Sequence, residues 1–185
     1  MATFPIPAWA ATRGGLTLGP SLTVSFQRFL PGGVARLETT PTSLGTLEPG
    51  LERGELFLVA IHPEEAVWLG VEGSRQWPGL RAVAGRPGDL RDLASGRPAP
   101  VGAATEICCE RMALLPGLPD GRGGYRPLAG AGLRLAFQPV GPDRKSLGPI
   151  ARVELVDAPV FAARTGRPAP PPADPRAGYR GWRLP

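Results

Sequence analysis

The sequence predicts an all-β protein, an antiparallel β-sandwich or barrel with extended N- and C-terminal arms. Three observations lead to this fold class. Short apolar or alternating segments recur along the chain, turns rich in glycine and proline separate them, and no convincing amphipathic helix is present. The chain has 185 residues, including 26 glycines and 24 prolines. This length fits one ordinary domain with a sizeable core.

Three regions are expected along the chain. In residues 1–20, prolines and glycines interrupt scattered apolar side chains such as Phe4 and Trp9, so these residues predict an extended N-terminal arm. Residues 21–161 form the expected β domain. Residues 162–185 contain six prolines and five arginines. This composition favours polyproline II backbone and predicts an extended C-terminal arm.

The first half of the β domain contains an alternating strand and a predicted hairpin. Apolar and polar side chains alternate over residues 21–27, as in a half-buried strand. Residues 34–38 are the expected partner strand after a glycine-rich turn. Residues 55–62 are the most apolar stretch and predict a central strand. The sequence His62-Pro63-Glu64-Glu65 predicts a turn, so residues 66–71 are expected to return as the second strand of a hairpin.

The second half of the β domain contains the remaining predicted elements, in which apolar residues dominate or alternate. Four strands are predicted over 80–84, 105–115, 133–137 and 150–156, and one or two helical turns over 89–94. Cys108 and Cys109 are adjacent in a predicted strand, so one side chain should enter the core while the other stays near the surface. A disulfide between neighbours is strained. Two thiols on opposite faces and one histidine cannot supply four convergent zinc ligands.

Several short blocks of the β domain resemble an uncharacterised bacterial protein family. The blocks are Thr23-Val-Ser-Phe-Gln-Arg28, Pro41-Thr-Ser-Leu-Gly45, Ala66-Val-Trp-Leu69, Arg111-Met-Ala-Leu-Leu-Pro116, Gly124-Tyr125, and Leu133 to Val140. They follow one another in the same order as in the family. The resemblance covers roughly residues 22–140 and leaves out both arms. It implies one β-rich domain, and because the family has no established activity it implies no site residue.

The net charge of +5 is unevenly distributed along the chain. Residues 164–185 contain five arginines and one acidic residue, whereas the preceding 163 residues contain 16 basic and 15 acidic groups. A nearly neutral β domain argues against a groove for duplex nucleic acid, which needs several phosphate contacts from one face. No apolar run approaches the roughly 18 residues of a membrane span, and no signal-peptide pattern is present. We therefore expect a cytoplasmic protein without membrane contact.

One group of residues has acid or base potential. His62 lies beside Glu64 and Glu65, and Cys109 would become a candidate nucleophile if the fold brought it to His62. However, His-Pro-Glu-Glu at the tip of a hairpin is more often a solvated turn, and a lone cysteine is more often a small buried residue. We therefore predict no catalytic residue, no metal site and no cofactor.

The arms carry the residues that we expect to bind partners, because Arg, Trp and Tyr are enriched at interface hot spots. The expected function is that of a non-enzymatic structural or interaction subunit that docks its arms on neighbouring protein subunits in a larger assembly. The alternative is a nucleic-acid-associated module that stacks on bases and pairs with phosphates through the C-terminal arm. The predicted partner-binding residues are Arg176, Tyr179, Arg180, Trp182, Arg183, Phe4 and Trp9.

Overall fold

In the described part of the chain, nearly all regular structure is β-strand, arranged in two seven-stranded sheets and one two-stranded ribbon. The structure, a computed structural model, describes residues 8–52 and 56–176. The first sheet contains β1 (Trp9–Thr12), β2 (Gly15–Leu18), β3 (Thr23–Phe29), β4 (Thr46–Leu47), β7 (Ala66–Glu72), β11 (Ala113–Leu115) and β14 (Leu128–Ala129). The second contains β5 (Gly50–Leu51), β6 (Leu56–Ala60), β8 (Gly79–Arg86), β9 (Asp89–Asp92), β10 (Glu106–Cys108), β15 (Arg134–Val140) and β16 (Ala151–Val156). The ribbon pairs β12 (Leu118–Pro119) with β13 (Tyr125–Arg126), and a short 3-10 helix spans Val101–Ala103.

Antiparallel pairing dominates both sheets, which confirms the prediction of a mainly antiparallel β protein. The first sheet runs in the order β1-β2-β3-β7-β11, with β4 beside β3 and β14 beside β7. The second runs β10-β8-β15-β16-β6-β5, with β9 beside β8. The pair of β6 and β16 is parallel, as long connections between strands permit. No closed barrel is found among the described residues.

The largest group of buried apolar side chains draws on both sheets. Alternation along β3 places Val24 and Phe26 in this core, as the alternating pattern predicted. Leu135 and Phe137 enter the same core from β15. The rings of Phe26 and Phe137 meet edge to face, with centroids 6.2 Å apart and an interplanar angle of 63°. The two sheets are thus joined through their apolar faces.

Strand β6 is buried on both faces, which explains why its sequence is apolar without alternation. Phe57 and Val59 belong to the core shared by the two sheets. Leu58 and Ala60 lie in a second buried cluster with Phe161, a residue of the helix α1 (Ala158–Thr165). The prediction of a central strand is confirmed, and the helix is what covers its second face.

Helix α1 was not expected from the sequence, although its ends carry recognisable signals. The Asp157 carboxylate accepts a hydrogen bond from the Val160 N–H at 3.0 Å and caps the N-terminus, while Pro159 lies in the first turn. Gly166 ends the helix in the left-handed region, with φ of 70°. The helix has only eight residues, too few for an amphipathic period to stand out.

The predicted hairpin of residues 55–71 is wrong. Residues 62–65 do form a turn, in which the Glu65 N–H donates to the His62 carbonyl at 3.0 Å. However, the turn connects two sheets, because β6 belongs to the second sheet and β7 pairs with β3, β11 and β14 in the first. Both strands are almost continuously apolar, so the sequence fits a central strand in either sheet equally well.

Three further segments differ from their predictions. Residues 34–38 form only one isolated bridge, between Leu37 and Tyr125. Residues 89–94 contain strand β9 instead of helical turns, because Pro87 and Gly88 form a tight turn from β8. The single strand expected over 105–115 is divided into β10 and β11, which pair with β8 and β7 in different sheets. In each case the choice of partner strand, which the local pattern does not specify, decides the structure.

The N-terminal region also departs from an extended arm. From Trp9 to Leu18 the chain forms the antiparallel hairpin β1–β2, which joins the edge of the first sheet through β3. Leu16 and Leu18 are buried in the same shared core. Gly15 permits the close approach of β2 to β3, since its φ is +131° and a Cβ there would lie 2.1 Å from the Val24 carbonyl oxygen.

Contact between the sheets through Phe26 and Phe137 predicts that substitutions at the two positions are not additive. Phe26→Leu and Phe137→Leu should each lower the free energy of unfolding by about 1 kcal/mol or more. The double variant should reveal a coupling of about 0.5–1.5 kcal/mol, measured by urea unfolding. The exposed Val34 provides the control, since Val34→Ala should change stability by less than about 0.5 kcal/mol. Strictly additive effects of the two Phe variants would contradict the contact.

Candidate functional site

The described part of the predicted C-terminal arm lies against the rest of the chain. The boundary expected at residue 162 falls inside helix α1, whose Phe161 is buried against the second sheet. Beyond the helix, residues 167–176 form neither helix nor strand, yet their polar backbone groups find partners on the body. We call residues 166–176 the C-terminal segment. Among the described residues of the predicted arms, this segment makes the most long-range polar contacts with the body.

Two arginines fix the start of this region. Arg164 donates to both carboxylate oxygens of Glu52, at 2.7 and 2.5 Å. This hydrogen-bonded ion pair lowers the pKa of Glu52. Arg167 donates to Glu48 at 2.6 Å and to the Pro49 carbonyl at 3.3 Å. Two of the arginines that gave the arm its charge are therefore neutralised by the body.

A buried carboxylate holds the middle of the C-terminal segment. The side chain of Glu65 is 1% exposed. Its Oε1 accepts the Ala173 backbone N–H at 2.6 Å, and its Oε2 accepts the His62 N–H at 3.2 Å. Arg28 lies 3.6 Å from Oε1 and supplies the compensating positive charge. A buried charge is tolerated only when such partners are present.

Arg28 and His62 bind carbonyl oxygens of the same segment. The Arg28 guanidinium donates to Pro171 at 2.7 Å. The His62 Nε2 lies 2.9 Å from the Pro170 oxygen, and since a carbonyl only accepts, this nitrogen carries the proton. Arg28, His62 and Glu65 form what we call the anchor site. The anchor site binds backbone groups of the segment, mainly carbonyl oxygens. A proline-rich chain can supply these groups, because proline keeps its carbonyl although it lacks an N–H.

The anchor site uses two of the three residues that the sequence singled out for acid or base chemistry. His62 and Glu65 are brought together, while Glu64 stays exposed beside them. Arg28 was missed, because it follows the alternating apolar residues of β3 and resembles a strand end. The alternation of β3 offered one signal. Arg28 lies two residues after Phe26 and four after Val24, so it is a charged residue on the face of the strand that these two core residues occupy.

Cys109 does not join the anchor site. It is buried, as expected for one of the two adjacent cysteines, and Cys108 is exposed. Its Sγ lies 3.8 Å from the Trp77 carbonyl oxygen, whereas the His62 ring faces Pro170. Burial raises the pKa of the Cys109 thiol to about 12, so it remains protonated and a poor nucleophile at neutral pH.

Two predicted partner-binding residues lie in the described part of the chain. The Trp9 indole N–H donates to the Pro149 carbonyl at 2.7 Å, and the ring lines a cavity of about 170 Å³ beside Leu51 and Phe57. Arg176 is exposed, and its backbone N–H donates to Asp174 at 2.8 Å. Outside the described residues are the other five, Tyr179, Arg180, Trp182, Arg183 and Phe4.

Comparison with protein-family models, with curated proteins and with solved structures finds no match to this chain. Within residues 8–52 and 56–176, no helix is both long and apolar enough to cross a membrane. No group of three or more His, Cys, Asp and Glu side chains in these same ranges is placed to hold a metal ion. The strongest evidence for function is therefore the anchor site and the segment that it binds.

Loss of the Glu65 charge should release the C-terminal segment. In Glu65→Gln, an NH₂ group replaces one of the two carboxylate oxygens. This donor then faces another donor, either a backbone N–H or the Arg28 guanidinium, and the ion pair with Arg28 is lost. We expect a decrease of about 2 kcal/mol in the free energy of unfolding. Hydrogen exchange of the Ala173 amide should become at least about tenfold faster.

The exposed neighbour provides a matched control. Glu64→Gln makes the same chemical change one residue away, and exchange at Ala173 should stay as in the unmodified protein. Equal exchange rates in both variants would show that Glu65 does not hold the segment.

Proposed function

We propose that the protein is a non-enzymatic interaction subunit, acting in the cytoplasm, whose C-terminal arm binds neighbouring protein subunits in a larger assembly. One observation carries the proposal: the anchor site holds the backbone at Ala173, shortly before the aromatic and arginine residues Tyr179 to Arg183. By burying a charged group that binds its own proline-rich segment, the domain fixes the position of that segment. We infer that the fixed segment serves to position the residues that follow it for binding to a partner.

Fixing the segment lowers the entropic cost of binding a partner. Ordering one residue costs about 1–2 kcal/mol in backbone entropy, so a binding sequence that starts from an anchored chain loses less freedom on association. Tyr179 and Trp182 are side-chain types that anchor interfaces. Chemistry at the anchor site is the weaker interpretation, because its carboxylate and imidazole are already bound to backbone groups of the chain.

For the body, we propose a β-sandwich of the two sheets that acts as a rigid support. The apolar core shared by the two sheets and the Phe26–Phe137 contact support two facing layers. The anchor site draws on the end of β3 for Arg28 and on the connection from β6 to β7 for His62 and Glu65. The arm would then be tied to the point where the chain passes from one sheet to the other.

Nucleic-acid binding through the arm is the second candidate. The arginines and aromatics of the arm favour it. Against it, Arg164 and Arg167 are paired with Glu52 and Glu48, so residues 168–185 offer three arginines against Asp174. That charge supplies few phosphate contacts, and protein partners are the better-supported choice.

Light scattering of the full-length protein across a concentration series tests self-assembly through the arm. We expect a mass above the 19.4 kDa of one chain. Tyr179→Ala with Trp182→Ala should return the mass to that of the monomer, because the aromatic anchors are lost. The Glu64→Gln variant should assemble as the unmodified protein does.

Two results would count against this proposal. One is a monomer at every concentration of the unmodified chain, and the other is an assembly whose mass the aromatic variants leave unchanged. Binding of single-stranded oligonucleotides that falls with salt and requires Arg180 and Arg183 would favour the nucleic-acid alternative instead.

A further inference from the structure

A basic cleft lies on the body, formed by three separate segments. It has a volume of about 580 Å³ and runs between the loop after β9 and the ribbon β12–β13. Arg91 comes from β9 and Arg97 from the loop that follows it, whereas Arg126 comes from β13, in a separate part of the chain. The polar side chains lining the cleft are Arg91, Ser95, Arg97, Asp120 and Arg126.

The backbone that carries these arginines is firmly held. The buried Asp92 carboxylate accepts hydrogen bonds from the Ala94 N–H, the Ser95 hydroxyl and the Thr105 N–H at 2.7–3.0 Å. Burial alone would raise the pKa of Asp92, but these hydrogen bonds outweigh it and the pKa is lowered. The Asp92 N–H in turn donates to the Arg97 carbonyl at 2.9 Å. These hydrogen bonds therefore hold the backbone of the loop that carries Arg97.

The opposite wall is equally constrained. Arg126 pairs with Leu118 in the ribbon. The two walls approach closely at Gly96, where a Cβ would lie 2.5 Å from the Pro119 carbonyl oxygen and φ is +73°. A glycine is needed at this contact. Sites supported by fixed backbone hold ligands better than sites on free loops.

The charge of the cleft is positive after its carboxylates are assigned. Asp120 binds Arg36 at 2.6 Å. The Arg122 backbone N–H and the Arg36 guanidinium lower its pKa to about 2, so it stays ionised but neutralised. Arg91 is paired with Asp89 at 3.1 Å. Arg97 and Arg126 are exposed and have no carboxylate partner among the described residues.

A second cavity adjoins the cleft. It has a volume of about 360 Å³ and shares Pro119 and Gly121 with the cleft as lining residues. Its wall combines apolar and aromatic side chains such as Leu93, Leu114 and Tyr125 with the carboxylate-bearing Glu106. A basic cleft that continues into a cavity with apolar side chains and one acidic side chain suits a ligand with an anionic end and an organic body that carries hydrogen-bond donors.

We propose that the cleft binds phosphate groups of a small phosphorylated ligand. Guanidinium groups bind phosphate oxygens in a two-pronged arrangement, and Arg97 and Arg126 face one space from opposite walls. This site is separate from the anchor site and does not depend on the proposed assembly. The net charge of the first 163 residues gave no sign of this basic cleft, because acidic residues elsewhere in the same region balance its arginines.

Calorimetric titration of the full-length protein with sodium tripolyphosphate, and separately with ATP, tests the proposal. We expect saturable binding of at least one probe, with affinity that falls as salt rises. The double variant Arg97→Gln with Arg126→Gln should weaken it at least about tenfold, since two charge-assisted contacts are lost. ATP bound more tightly than tripolyphosphate would assign the adjoining cavity to the organic body, and equal affinities would show that the cleft recognises the phosphate groups alone.

A control with the same loss of charge makes the test specific. Arg13→Gln with Arg75→Gln removes two exposed arginines that line neither the cleft nor the adjoining cavity, and it should bind as the unmodified protein does. Absence of saturable binding to either probe would overturn the proposal. So would equal weakening in the two double variants, because it would show a general charge effect.

Discussion

The arrangement of the C-terminal segment depends on one buried carboxylate. The Glu65 side chain is 1% exposed, and a buried carboxylate is costly unless donors surround it. Its partners come from three places in the chain: the end of β3, the turn after β6 and the backbone at Ala173. Satisfying Glu65 therefore requires the segment near residue 173 to return to the body, across more than a hundred residues of sequence.

The burial of Glu65 also changes the interpretation of the turn formed by residues 62–65. A histidine beside a carboxylate has the composition of an acid–base pair, yet here both side chains bind backbone groups of a proline-rich segment. Helix α1 acts with them, since Phe161 covers the outer face of β6 and leads the chain toward the anchor site. In this arrangement the carboxylate and the imidazole are both engaged by the chain's own segment.

Local patterns in the sequence predicted the strands better than their partners. Strands β3, β7, β8, β15 and β16 fall where alternation or apolar runs placed them. The pairing of β6 with β16 and the assignment of β7 to the other sheet were not predictable, because a fully apolar strand fits any interior position. The anchor site was predictable to the same extent. His62 and Glu65 are close in sequence and were recognised together, whereas Ala173 and Arg28 reach them only through long-range packing that no nearby motif specifies.

Paramagnetic relaxation enhancement tests most directly whether the segment binds its own body. A nitroxide at Asp174→Cys in a Cys108→Ser background leaves only the buried Cys109 thiol besides the labelled one. The labelled, ¹⁵N-enriched chain is diluted into excess unlabelled protein, so that only effects within one chain are seen. Because the segment lies against this turn, we predict strong broadening of the amides of His62, Glu64 and Glu65. Full intensity of those amides in the diluted sample would contradict it.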